Sequence, residues 1–257
     1  MSTSAFIAVN ARHTLEQHRL DSFEALWAVP AELVDEPNRS RGGVSSVGRL
    51  TLEDSNGQPE VFYLKRQSNY LIRNLRHPWG QPTAGRERDN IACYAEMGIP
   101  ALEVACYAQK RVDGQIQAIL LTRALDGYLP LEDWFADWGQ LGYRLQQQLL
   151  MASAALVARL HGSGLVHICL YPKHIFLKPM SDGMGVRFID LEKSRSRWLS
   201  PWGRIRDLDA LNRRSRGPSR SQRLRFLLAY LGKTRVDAQV RRWVQRIVRR
   251  SAHKGRQ

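Results

Sequence analysis

The sequence predicts an α+β fold of two lobes: a small antiparallel β-sheet lobe over residues 1–122 carrying one helix, a hinge at 123–127, and a larger, mainly helical lobe over 128–257. Three observations carry that expectation. Alternating apolar residues and a hairpin signature crowd the first half, helical spacing takes over past Gly127, and the links are too short for two independent domains.

The elements follow in order. Arg41-Gly42-Gly43-Val44-Ser45-Ser46-Val47-Gly48 is a glycine and serine run predicted to turn between a first strand and a second. Arg49 to Lys65 reads as two strands joined at Asn56-Gly57, a strong hairpin dipeptide. Arg66, Arg73, Arg76 and His77 then stand with Tyr70 and Trp79 in a basic, aromatic stretch, either an acceptor-binding insert or a surface loop. Thr83 to Ile99 is helical, with Ile91, Tyr94, Ala95 and Met97 on an apolar face and Gly98-Ile99-Pro100 as its stop. Strands are expected around Glu103 to Lys110 and Gln115 to Thr122. In the second half, Leu145, Leu149, Ala152, Leu156 and Leu160 mark a buried helix from Tyr143 to His161. Ser181 to Gly185 turns between Ile175-Phe176-Leu177 and Val186-Arg187-Phe188-Ile189, and helical spacing returns in Gln222 to Leu231 and Val236 to Arg250.

At 257 residues and 43% hydrophobic content, the chain can bury a sizeable core. Its apolar runs fall short of the ~18 residues of a membrane span. Met1 to His18 lacks the basic start and apolar centre of a signal peptide, so a cytoplasmic location is expected. Cys93, Cys106 and Cys169 have no C-x-x-C spacing, which argues against a disulfide framework or a structural zinc site. The net charge is +15, and from Arg204 onward 17 Lys or Arg face only Asp207, Asp209 and Asp237. Such a field suits an anionic partner, a lipid surface or phosphorylated glycan before a nucleic acid.

The chemistry sits in His167-Ile168-Cys169-Leu170-Tyr171-Pro172-Lys173-His174, followed by Arg187-Phe188-Ile189-Asp190. This is patterned like the protein-kinase catalytic loop H-R-D-L-x-x-x-N and the metal-binding strand end after it. Cys169 stands at the position of the catalytic Asp and His174 at that of the Asn. Asp190 closes a strand where a hard divalent cation would need carboxylate oxygen, and His174 is its candidate partner in holding the metal. His167 reads as a buttress of the loop. A thiol is a poor general base, whose help is typically worth about 10²- to 10⁴-fold, so Cys169 decides whether transfer is merely slowed or lost. Lys65 ends the alternating strand Val61-Phe62-Tyr63-Leu64-Lys65, at the place of the lysine that holds nucleotide phosphates; its carboxylate partner is Glu87 or, second, Glu96. Gly42, Gly43, Ser45 and Ser46 would offer backbone N–H groups to phosphates, though not in a G-x-G-x-x-G pattern. By order alone, Arg123 and Leu125 fall in the hinge that would bond an adenine.

From about Asn38 to about Tyr230 the chain resembles the bacterial lipopolysaccharide kinases of the Kdo/WaaP and InaA type, which have a protein-kinase-like fold. That resemblance implies Mg-ATP as cofactor and phosphorylation of a sugar hydroxyl of lipopolysaccharide core or a related glycolipid at the inner face of the cytoplasmic membrane. The alternative is a pseudokinase-type binding or regulatory protein. In the basic tail, Val240, Trp243, Val244, Ile247 and Val248 form an apolar stripe opposite arginines. This helix is expected either to pack its stripe on the large lobe or to lie on anionic lipid, and the two are compatible.

Overall fold

A computed structural model describes residues 4–74, 77–196, 198 and 202–254. The chain divides into two compact units, one of residues 1–92 with 102–126, the other of 93–101 with 127–257. Beside the expected 1–122, hinge 123–127 and 128–257, residues 93–101 fall in the second unit, and of the hinge residues 123–126 fall in the first and Gly127 in the second.

The first unit is built on an antiparallel sheet of seven strands. In chain order it holds β1 (Ser4–Ile7), α1 (Val9–Gln17), α2 (Phe23–Ala28), β2 (Glu32–Leu33), β3 (Asn38–Ser40), β4 (Gly43–Glu53), β5 (Pro59–Ser68), a small separate hairpin of β6 (Leu71–Asn74) and β7 (His77–Pro82), α3 (Thr83–Glu96), whose last turn falls in the second unit, β8 (Val104–Val112) and β9 (Gln115–Arg123). The strand order is β1-β8-β9-β5-β4-β2, with β3 also on β4. Alternation along β5 sorts its two faces. Phe62 and Leu64 are buried in a core with Ala11, Leu15, Phe23 and Leu26 of α1 and α2, while Lys65 and Gln67 point to the opposite face, toward α3. The single helix expected in this lobe is α3. The structure adds α1 and α2, of nine and six residues, which bury only a few residues each.

The glycine and serine run is not a flexible loop. Its turn is confined to Arg41 and Gly42, at φ 57° and 75°, and Gly43 onward is strand, with Ser45 opposite Gln67 and Val47 opposite Lys65. Gly43 is glycine because a Cβ there would lie 2.4 Å from the backbone of Ser68 and Asn69. The basic, aromatic stretch forms the β6–β7 hairpin. Arg66 is committed to the carbonyls of Leu26 and Val29, Tyr70 is buried, Arg73 and Trp79 are exposed, and Arg76 lies outside the described residues.

The second unit holds β10 (Leu129–Pro130), α4 (Leu131–Ala136), α5 (Tyr143–Gly162), β11 (Leu165–Val166), β12 (Ile175–Met180), β13 (Gly183–Phe188), β14 (Arg195–Ser196), α6 (Gly203–Arg214), α7 (Arg220–Tyr230) and α8 (Ala238–Lys254). Leu149, Leu156 and Leu160 of α5 are buried, as their spacing foretells, while Leu145 and Ala152 are half-buried. Strands β12 and β13 pair antiparallel and join β10. Segment 93–101 is tied in by the Tyr94 hydroxyl, 2.8 Å from Ser194 Oγ, by a parallel bridge from Ala101 to Phe188, and by Phe188 N–H donating to the Pro100 carbonyl at 3.1 Å. On α8, Val240 and Ile247 are buried and Trp243 packs edge-on against Tyr230, whereas Val244 and Val248 are exposed.

Candidate functional site

In the first unit, Lys65 and Glu87 form an ion pair, with Glu87 almost fully buried. Strand and helix periodicity create it. Two residues past Lys65 on the same strand face, Gln67 Nε2 donates to Thr83 Oγ1 at 2.7 Å and Gln67 Oε1 accepts from Ala84 N–H at 2.9 Å, fixing the start of α3. One helical turn later Glu87 reaches Lys65. Gln67 also donates to Ser45 Oγ at 3.1 Å, so that hydroxyl is drawn into the same network. Glu96, the second candidate, is exposed at the other end of α3. Gln67 and Thr83 were not singled out from sequence; the available signal is Gln67's place on the Lys65 face.

The segment expected to be a hinge offers less than its order suggests. Arg123 N–H donates to the Glu103 carbonyl at 3.0 Å and Ala124 N–H to the Val61 carbonyl at 2.8 Å, and the Arg123 guanidinium is paired with Glu60. Among the described backbone bonds, Leu125 alone of these three amides has no partner.

In the second unit, the loop between β11 and β12 carries His167, Cys169 and His174, and Asp190 follows β13. Asp190 lies in the left-handed region at φ 57°, as does Ile168 at φ 73°. A β-branched residue there costs on the order of 1–3 kcal/mol, a strain typical of functional loops. His174 Nδ1 is 2.8 Å from the Cys169 carbonyl oxygen, which can only accept, so Nδ1 carries the hydrogen. Its Nε2 lies 3.4 Å from Asp190 Oδ2. Burial pulls the His174 pKa down to about 4 against the opposing pull of Asp190, leaving a neutral ring at pH 7. The Cys169 side chain is buried, 6% exposed, so what it lends the loop is its carbonyl. That burial also removes the exposure a redox-sensing thiol needs.

His167 buttresses the loop through both backbone and ring. Its Nε2–H donates to the Ile189 carbonyl at 3.0 Å, and its backbone N–H donates to Asp207 Oδ2 at 2.7 Å. Asp207, wholly buried on α6, also accepts from His161 Nε2–H at 3.2 Å, and His161 Nδ1 lies 2.9 Å from the Tyr230 hydroxyl. Burial lowers the His161 pKa, so this imidazole is neutral and its one hydrogen goes to the carboxylate. Asp207, His161 and Tyr230 escaped sequence reading, although a carboxylate between Ile205 and Leu208 at helical spacing was a visible sign. Among the described residues no group of three or more His, Cys, Asp or Glu gathers as a metal cluster; His174 and Asp190 are a pair. A pair fits a divalent ion that takes its other ligands from phosphates and water.

With this geometry in place, the comparisons are direct. The profile of the Lipopolysaccharide kinase (Kdo/WaaP) family matches residues 24–230. Protein InaA of Escherichia coli strain K12 is 30% identical over 181 residues, covering 70% of this chain and 81% of its own length. Lipopolysaccharide core heptose(I) kinase WaaP is 26% identical over 175 residues in Escherichia coli and 29% over 179 in Pseudomonas aeruginosa; the chain spans 65% and 66% of their lengths. A solved structure of WaaP in complex with acyl carrier protein superposes with a TM-score of 0.68 at 24% identity, over 98% of this chain and 99% of that one, a likeness of fold.

Proposed function

Because the chain belongs to the lipopolysaccharide kinase (Kdo/WaaP) family, we propose that it is an ATP-dependent kinase that phosphorylates a sugar hydroxyl of lipopolysaccharide core or a related glycolipid. The observation that carries this reading is the Lys65–Glu87 pair. A buried carboxylate is costly unless paired, and the pair holds the lysine ammonium at one place, as anchoring nucleotide phosphates requires. Leu125 N–H is the hinge amide left to meet an adenine.

A bound divalent ion neutralises phosphate charge during transfer. Asp190 Oδ2 and His174 Nε2 are the atoms that would hold it. Asp207 and His167 keep the loop in register. Buried Cys169 supplies no carboxylate for the acceptor's proton, so the reaction rests on positioning and charge, and a rate about 10²- to 10⁴-fold below that of a carboxylate-assisted kinase is expected. The same burial favours the pseudokinase reading as the second possibility. Cys169→Asp separates them: a large gain in phosphate transfer means an intact site with weakened chemistry, and no gain with no basal transfer means a binding protein.

The acceptor surface we assign to α8. Exposed Val244 and Val248 line an apolar groove of about 700 Å³ together with Leu131, Phe135 and Leu224, edged by Arg220 and Arg241. Apolar residues beside arginines suit the acyl and phosphate groups of an anionic glycolipid at the inner membrane face. Among the described residues no helix is long and apolar enough to cross a membrane.

Calorimetry with a non-hydrolysable ATP analogue, with and without divalent ion, tests the kinase reading. Binding that weakens at least about tenfold in Lys65→Met and in Asp190→Ala supports it. Absence of nucleotide binding in every condition sinks it, whatever happens to lipid.

A further inference from the structure

The His174–Asp190 pair beside the end of β13 is unlike an all-oxygen magnesium site. We propose that His174 makes this site select a first-row transition ion, Mn²⁺ or a later member of the series, over Mg²⁺. The inference rests on the kinase reading only in taking the site to be used with nucleotide; the ion preference follows from the side chains themselves.

Three observations carry it. The Cys169 carbonyl takes the Nδ1–H of His174, leaving Nε2 to present its lone pair. Metal-bound histidines show this arrangement, their second nitrogen donating to a carbonyl or carboxylate. Nε2 and Asp190 Oδ2 stand 3.4 Å apart, long for a hydrogen bond. Two ligand atoms each about 2.1 Å from one ion are separated by about 3.0 Å at an octahedral angle and about 3.4 Å at a tetrahedral one, so the observed spacing brings both within reach of a shared ion. The ring is also held in plane: Tyr171 packs on it at 5.2 Å between centroids and His167 at 5.8 Å, while the Arg214 guanidinium covers Tyr171 at 3.8 Å. With its side chain 8% exposed, His174 has little room to swing away, so an ion drawn to Asp190 meets nitrogen.

Magnesium prefers oxygen and near-octahedral geometry, and it gives up water reluctantly. Imidazole suits the transition ions, whose affinity for nitrogen sites rises along the series from Mn²⁺. An asparagine at position 174 would present a carbonyl oxygen and suit magnesium; a histidine exchanges that oxygen for nitrogen.

The test uses the full chain and Mn²⁺ as probe. Electron paramagnetic resonance would titrate Mn²⁺ with and without the ATP analogue, with Mg²⁺ as competitor, and pulsed measurement would look for coupling to imidazole ¹⁴N. Expected are a nitrogen coupling, displacement only by about tenfold or greater excess of Mg²⁺, and loss of both in His174→Asn. His174→Gln provides a second variant should the first not fold, with circular dichroism as the check. Mn²⁺ bound without nitrogen coupling, or displaced by equal Mg²⁺, overturns the inference while nucleotide binding still upholds the kinase reading. Coupled Mn²⁺ without nucleotide binding has the reverse meaning. Failure of Mn²⁺ to bind overturns the inference outright.

Discussion

Replacing Asp207 by alanine is expected to be among the most damaging single changes in the second unit. Its Oδ2 is the shared acceptor of the His167 backbone N–H at 2.7 Å and of His161 Nε2–H at 3.2 Å, in a site with no exposure. Truncation strands two buried donors, each worth about 1–3 kcal/mol when left unmade, so a loss of about 3–5 kcal/mol is expected. For a chain of this size each kcal/mol shifts the melting temperature by about 2–4 °C, which puts Asp207→Ala roughly 10 °C below the parent. Asparagine supplies the contrast. Oδ1 of Asp207 has no hydrogen-bond partner among the described residues, so an amide can place its oxygen at the Oδ2 position and its NH₂ at the idle one, at a cost of about 1 kcal/mol. Urea midpoints for the three proteins at pH 7.5, supported by calorimetric melting, measure the difference. The reasoning fails if Asp207→Ala stays within 1 kcal/mol of the parent, or if Asn harms as much as Ala.

Three further outcomes are expected. Burial holds the folded pKa of both His161 and His174, the latter at about 4, below the ordinary 6.5. Below about pH 6.5 the unfolded chain therefore binds protons that the folded chain refuses, and stability falls as pH drops toward 4, by up to about 3 kcal/mol for His174 alone. Metal-free His174→Asn should show a shallower loss of urea midpoint between pH 7.5 and 5 than the parent; an identical slope would refute this assignment. Gly43→Ala forces a Cβ against the Asn69 backbone and should lower stability by about 1–3 kcal/mol, as read by thermal melting, whereas Gly42→Ala, with open space but φ 75°, should lose only about 1 kcal/mol. If Gly43→Ala instead kept its melting temperature and lost only nucleotide affinity, the packing explanation of that glycine would be wrong. Finally, Cys169→Asp should raise phosphate transfer by about 10²- to 10⁴-fold in a labelled-phosphate assay if the new carboxylate reaches the acceptor; since the thiol is buried, a variant that melts early would show that the loop cannot accommodate it.

What could be read in advance depended on how much of each element's signal is periodic. Helices α5, α7 and α8 carry apolar residues at three- and four-residue spacing and were visible. Helix α6 was not, because its buried stripe of Ile205, Leu208 and Leu211 is interleaved with Asp207 and Asp209, which look like solvent residues until the groups they satisfy are in view. Lys65 and Glu87 were recognisable because strand alternation and helix position each allow few choices. The glycine run misled for a physical reason: glycine marks either a turn or a close backbone approach, and at Gly43 the second applies. The loop positions His167, Cys169 and His174 were legible as a pattern. The carbonyl work of Cys169 was not, since side-chain identity says nothing about a residue's backbone.

The membership of residues 93–101 in the second unit bears on how this protein can be taken apart. A fragment beginning at Gly127 would keep β13 but forfeit the Pro100 carbonyl that receives the Phe188 amide, and would leave the Ser194 hydroxyl without Tyr94. The wholly buried ring of Phe188 would then meet water just two residues before Asp190. Expression of the helical half alone should therefore yield an aggregation-prone chain. The remedy is a graft: residues 93–101 spliced ahead of Gly127 through a flexible linker, so that the nine-residue strap travels with the part it completes.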